Sequence, residues 1–122
     1  MARGIAWSVV ALLLAACFSE RDPAAPSGER CSLPITPAVP GSTLVPIADF
    51  TFQPGEVRVR AGQSVTWANC DVDLHTSTSD AAGWDSPLLA PGEAFTQTFS
   101  EVGTFPYHCE THPFMTATVI VE

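Results

Sequence analysis

Cys109-Glu110-Thr111-His112-Pro113-Phe114-Met115 places a thiol, an imidazole and a thioether within seven consecutive residues. Such groups turned towards one point make a site for a soft metal ion. The surrounding pattern allows that convergence. Apolar and polar residues alternate from Thr104 to Cys109 and again from Met115 to Val121, so a strand delivers Cys109, a short loop carries His112, and the next strand begins at Met115. The segment lacks a second nitrogen ligand, and the chain has only three histidines. His108 adjoins Cys109 in a strand, where neighbouring side chains point to opposite faces, which removes it from the cysteine's site. His75 remains, in the loop that follows another strand. Two imidazoles and a thiolate in a plane, with a weak axial thioether, form the blue-copper arrangement. His75, Cys109, His112 and Met115 are therefore the candidate ligands. They leave no coordination position for a substrate, which argues against an enzyme, because metal enzymes keep a position open.

The elements that must position these residues are strands. Glu56 to Arg60 alternates strictly, with Val57 and Val59 on one face, and Ser64 to Asn69 follows with Val65 and Trp67 on one face after a turn at Ala61-Gly62-Gln63. Ala94 to Phe99 alternates weakly around Phe95 and Phe99. Phe105, Tyr107 and Cys109 share a side, as do Met115, Ala117, Val119 and Val121. Short period-two segments separated by Gly and Pro turns predict antiparallel strands with one buried face, in an all-β sandwich or barrel. The length of 122 residues allows one domain. A core this small benefits from cross-links, which a metal and a disulfide would supply.

The N-terminus reads as an export signal. Arg3 supplies a positive start, Ile5 to Leu14 is an apolar run too short to span a bilayer, and small residues follow. Leu14-Ala15-Ala16-Cys17 looks like the cleavage and acylation site of bacterial lipoproteins. The expected organisation is a signal over residues 1–16, a proline-rich membrane tether over 17–41 starting at a lipidated Cys17, and a folded domain over 42–122. The expected location is the periplasmic or cell-surface side, anchored to a membrane. Export places the cysteines in an oxidising compartment. With Cys17 acylated and Cys109 on the metal, Cys31 and Cys70 remain as the natural disulfide pair. An exported free thiol beside a histidine is an awkward residue to carry without a metal. The formal net charge of −8, with no lysine, excludes nucleic acid as a partner and disfavours anionic headgroups.

Thr51 to Val121 resembles the cupredoxins, the type 1 blue-copper family, and within it the amicyanin, pseudoazurin and plastocyanin-like proteins. The resemblance rests on Val65-Thr66-Trp67-Ala68-Asn69, His75, Pro91-Gly92-Glu93-Ala94-Phe95, Gly103-Thr104-Phe105-Pro106-Tyr107-His108-Cys109 and His112-Pro113-Phe114-Met115. It implies a Greek-key β-sandwich, one copper per chain, and one-electron shuttling between redox proteins such as a cytochrome or a membrane oxidoreductase. It also implies an electron port at His112, ringed by Pro113 and Phe114; Leu88 and Leu89 either complete that ring or pack in the core. Thr76 stands where those proteins usually carry an asparagine that ties the two ligand loops together, and the pair Cys31 and Cys70 is outside their pattern. The alternatives are a periplasmic copper-buffering or delivery protein, for which one methionine beyond Met1 is few; a zinc protein, in which Met115 has no purpose; and a redox-silent structural lipoprotein.

Overall fold

The computed structural model of the chain describes Cys31 and residues 40–122. The expected signal, Cys17 and nearly all of the expected tether lie outside the described residues.

Eight strands form: β1 (Thr43–Ala48), β2 (Thr51–Phe52), β3 (Glu56–Val59), β4 (Ser64–Asn69), β5 (Thr78–Ser79), β6 (Ala94–Thr98), β7 (Gly103–His108) and β8 (Thr116–Val121). They build two four-stranded sheets, ordered β2-β1-β4-β6 and β3-β8-β7-β5. The alternation is realised as burial: Val57 and Val59 point inwards while Glu56 and Arg58 are exposed, and Ala117, Val119 and Val121 line the core from β8. Trp67 fills the centre, stacked on Trp84 (ring centroids 5.7 Å) and edge-on to Tyr107 (5.3 Å). Gly62, at φ 93°, makes the turn by which the chain passes from β3 in one sheet to β4 in the other.

The expectation of antiparallel strands holds only in part. The pairs β1–β4 and β3–β8 are parallel. Parallel neighbours need a crossover between them. Between β1 and β4 the crossover is the excursion of β3 into the opposite sheet. Side-chain alternation reports which face a residue takes and is silent about strand direction.

This topology sends all the candidate ligands to one end of the sandwich. β4 finishes there at Asn69, β7 finishes at His108, and β8 starts at Thr116 opposite it. β1 begins at the other end, where Thr43 lies beside Val65, and runs towards the ligand end, where Ile47 lies beside Asn69. Cys31 is joined by a disulfide to Cys70 at the ligand end, with Cα atoms 5.0 Å apart. The bridge closes a loop across a sequence separation of 39, and closing a loop of that order stabilises a fold by about 2–4 kcal/mol. The C31S/C70S double variant is expected to lose a stability of that order in denaturant titration of the metal-free protein; an unchanged midpoint would show that the bridge contributes nothing.

Candidate metal centre

His75 occupies the loop between β4 and β5 and is fully buried. Its backbone is clamped on both sides, with His75 N–H donating to Leu89 O (3.3 Å) and Leu89 N–H donating to His75 O (2.8 Å). Its ring is oriented by Asp71, whose Oδ2 lies 2.9 Å from Nε2. A carboxylate can only accept, so Nε2 carries the proton and the Nδ1 lone pair is directed away from Asp71, the arrangement by which proteins prepare metal-binding imidazoles.

Cys109 and His112 come from the β7–β8 connection. Cys109 N–H donates to Met115 O (3.1 Å) and Met115 N–H donates to His112 O (2.9 Å), so the loop is closed by its own backbone. Cys109 and Met115 are both buried. Three donor atoms converge: Cys109 Sγ is 3.7 Å from His75 Nδ1 and 3.9 Å from His112 Nδ1, and the two nitrogens are 3.2 Å apart. A metal ion held in the plane of its donors at ~2.0 Å from nitrogen and ~2.3 Å from sulfur separates them by about 3.5 Å (N to N) and about 3.7 Å (N to S). The triangle therefore fits one such ion without rearrangement.

The ligand-bearing loops are sewn together by threonines. Thr76 N–H donates to Cys109 Sγ (3.3 Å), Glu110 N–H donates to Thr76 Oγ1 (2.9 Å), and the Thr111 hydroxyl donates to Leu74 O (2.9 Å). Thr76 thus makes a tie between the two loops with a shorter side chain than the asparagine expected at that position. His108 faces elsewhere, bonded through Nδ1 to Asp80 (2.6 Å).

Leu89 does not join an apolar ring around His112. It is only 2% exposed and belongs to the core beneath His75, while its neighbour Leu88 is 52% exposed. The cause is the backbone bridge between His75 and Leu89, which turns residue 89 inwards and residue 88 outwards. Phe50 was not singled out from the sequence, yet its ring stands edge-on to both His75 (5.4 Å) and His112 (5.0 Å) and lies 6.5 Å from Phe114. It occupies the two-residue turn between β1 and β2, where Asp49 and Phe50 both have positive φ (52° and 54°). Such a turn normally takes Asn or Gly, and a phenylalanine there is strained. Asp71 offsets the strain by accepting both N–H groups, from Asp49 (2.8 Å) and Phe50 (3.0 Å).

Burial alone would raise the Cys109 thiol pKa. The contacts that favour the anion, led by the Thr111 hydroxyl and followed by the Thr76 N–H and the two imidazoles, outweigh it and bring the pKa from 9.0 down to about 6. The lowered pKa in the folded state means that the anion's contribution to metal-free stability is present above 9 and is lost as the pH falls through about 6. Thiolate ultraviolet absorbance of the metal-free protein is expected to titrate near that lower value, and an ordinary thiol midpoint would contradict the network. D71N is expected to weaken metal affinity by about 10–100-fold, the usual cost of losing a carboxylate behind a histidine ligand; competition against a chelator measures it.

A profile of copper-binding proteins of the plastocyanin/azurin family matches residues 40–122. Amicyanin of Paracoccus denitrificans is 34% identical over 87 residues, covering 67% of this chain and 66% of that protein, so the match spans just under two thirds of the relative's length. Amicyanin-alpha of Methylorubrum extorquens is 38% identical over 87 residues, covering 67% of this chain and 73% of the relative. Among solved structures, an amicyanin variant in its reduced state superimposes with a TM-score of 0.68 at 31% identity, covering 74% of this chain and 90% of that one. The fold is the cupredoxin β-sandwich of those neighbours, and the donor triangle suits their metal. The chain belongs to the plastocyanin/azurin family of copper-binding proteins, and copper is its cofactor.

Proposed function

We propose that this protein is an exported, lipid-anchored carrier of single electrons, with copper held by His75, Cys109 and His112 and weakly by Met115. The observation that carries this reading is the donor triangle itself: two imidazole nitrogens and one sulfur, all within 4.8 Å of one another, on backbone that is already hydrogen-bonded in place. Copper, when bound, supplies a one-electron couple between Cu(I) and Cu(II), and these ligands are a compromise acceptable to both states.

The chain's own residues do the rest. Asp71 holds the tautomer and tilt of His75. Thr76 and Thr111 hold the spacing between the two ligand loops, so that a change of charge is met by fixed dipoles and not by moving atoms. Met115, buried and hydrogen-bonded through its backbone to Cys109 and His112, would supply the weak fourth ligand. His112 is half-buried and Phe114 is 71% exposed, their rings 6.0 Å apart. His112 is thus the ligand that reaches the surface, beside Pro113 and Phe114, and it serves as the electron port. An apolar centre of this kind suits a brief encounter with a redox partner. The reading of the N-terminal sequence as an export signal with an acylation site at Cys17 supports an encounter outside the cytoplasm, at a membrane.

Titration with Cu(II) is expected to produce a stoichiometric, intense blue band that ascorbate bleaches and an oxidant restores. C109S is expected to abolish it; a variant that stayed blue would sink the assignment. Copper binding without the band would favour the buffering reading. M115L is expected to retain copper and raise the reduction potential, measured by voltammetry, whereas loss of all copper would contradict weak ligation by Met115.

A further inference from the structure

The Cys31–Cys70 disulfide has no part in holding the metal, yet it is attached beside the site. Cys70 immediately precedes Asp71, whose carboxylate holds His75, and Cys70 N–H donates to Ile47 O at 2.8 Å, at the ligand end of β1. Continuity of the chain alone would fasten the N-terminal segment to the domain at the start of β1. That point is the opposite end of the sandwich, where Thr43 lies beside Val65. From there to the level of Asn69 is about 13 Å along the strand. The disulfide moves the point of fastening across this distance to the copper end.

We propose that the disulfide makes the membrane anchor pull on the copper end, so that the apolar face around His112 is presented to a redox protein embedded in the same membrane. The inference rests on the lipid-anchored carrier reading. Cys17 and Cys31 are fourteen residue steps apart in the sequence, and an extended chain of that length reaches about 50 Å at most. A partner rooted in the same bilayer therefore meets the port at a raised effective concentration. Without the bridge, the tether runs to the far end and is longer.

The face has a matching chemistry. Phe114 is exposed, Leu74 and Leu88 are 45% and 52% exposed, and Phe50 packs behind His112. Asp49, Asp73 and Glu110 are exposed in the loops of this end. The described cations, Arg58 and Arg60, lie on β3 and just after it, at the opposite end, with Arg58 Nη1 2.6 Å from Glu122 Oε1. An anionic rim repels anionic headgroups, so the occupant is a protein with an apolar centre and a basic rim, and not the bilayer itself.

The test uses the full lipidated, copper-loaded protein in phosphatidylcholine vesicles that carry a headgroup-linked ruthenium(II) ammine. One electron passes from Ru(II), which becomes Ru(III), to Cu(II), which becomes Cu(I), and bleaching of the blue band gives the rate. Inserting about fifteen Gly/Ser residues between Cys17 and Cys31 is expected to slow the reaction about threefold, as lengthening a tether dilutes its end. The same insertion between Cys31 and Pro40, behind the bridge, is expected to leave the rate unchanged. In C31S/C70S both insertions are expected to slow it alike. Equal effects of the two insertions in the bridged protein would overturn the proposal. Soluble hexaammineruthenium(II) is expected to react with all forms at one rate; protection of the bridged protein from it would mean that the face lies in the bilayer, which overturns the assignment of a protein partner. Flotation with the vesicles reads the anchor separately, and protein that stays in solution overturns the anchored reading together with this one.

Discussion

Two imidazole lone pairs and a thiolate directed at one point oppose each other, and no side chain adopts such an arrangement on its own account. With the two nitrogens 3.2 Å apart, the surrounding structure must hold each donor against that opposition. Here the holding is done by backbone. His75 is gripped through both its N–H and its C=O by Leu89, and Cys109 and His112 are gripped through Met115. The sandwich contributes rigidity, because the ligand loops are short and begin directly from strands whose inner faces are packed.

Asp71 extends this control to a residue that is not a ligand. One carboxylate orients His75 and satisfies the two N–H groups of a turn whose φ values suit glycine better than phenylalanine. The strained turn delivers an aromatic ring edge-on against both imidazoles, at a place that strand geometry alone does not reach. The half-buried His112 and the internal His75 thus share one neighbour in Phe50. Asn69 supports the same unit from below, donating to the carbonyls of Asp73 (2.7 Å) and Leu89 (2.8 Å).

The candidate ligands were legible because their chemistry is local. Cysteine, histidine and methionine sit in one loop, and strand alternation eliminates His108. The strands around them were legible for the same reason, since Val57, Val59 and the β8 residues announce their faces. What could not be read depends on contacts between distant segments. The parallel pairing of β1 with β4 leaves no mark on either strand. Pro87-Leu88-Leu89-Ala90 has no periodicity to say which leucine turns inwards, and the answer comes from His75. Phe50 carries no local signal of its role, because the N–H groups of the turn that presents it are accepted by Asp71, twenty-one residues away from Phe50. The substitute tie at Thr76 was hidden likewise, for its partner is the backbone of Glu110.

The donor triangle joins parts of the molecule that are otherwise held together by side-chain packing and by the few hydrogen bonds that Thr76 and Thr111 make between the loops. His75 is fastened to the end of β4 in one sheet through Asp71 and Asn69, while Cys109 and His112 belong to the β7–β8 connection of the other. An ion shared among them is a rivet between the layers, and its binding free energy adds to the cohesion of the sandwich in proportion to the logarithm of its availability. Core substitutions that let the layers slide are then concealed in metal-replete conditions and exposed in metal-poor ones. The chain's tolerance of sequence change is in this sense set by the copper supply of its surroundings as well as by its own packing.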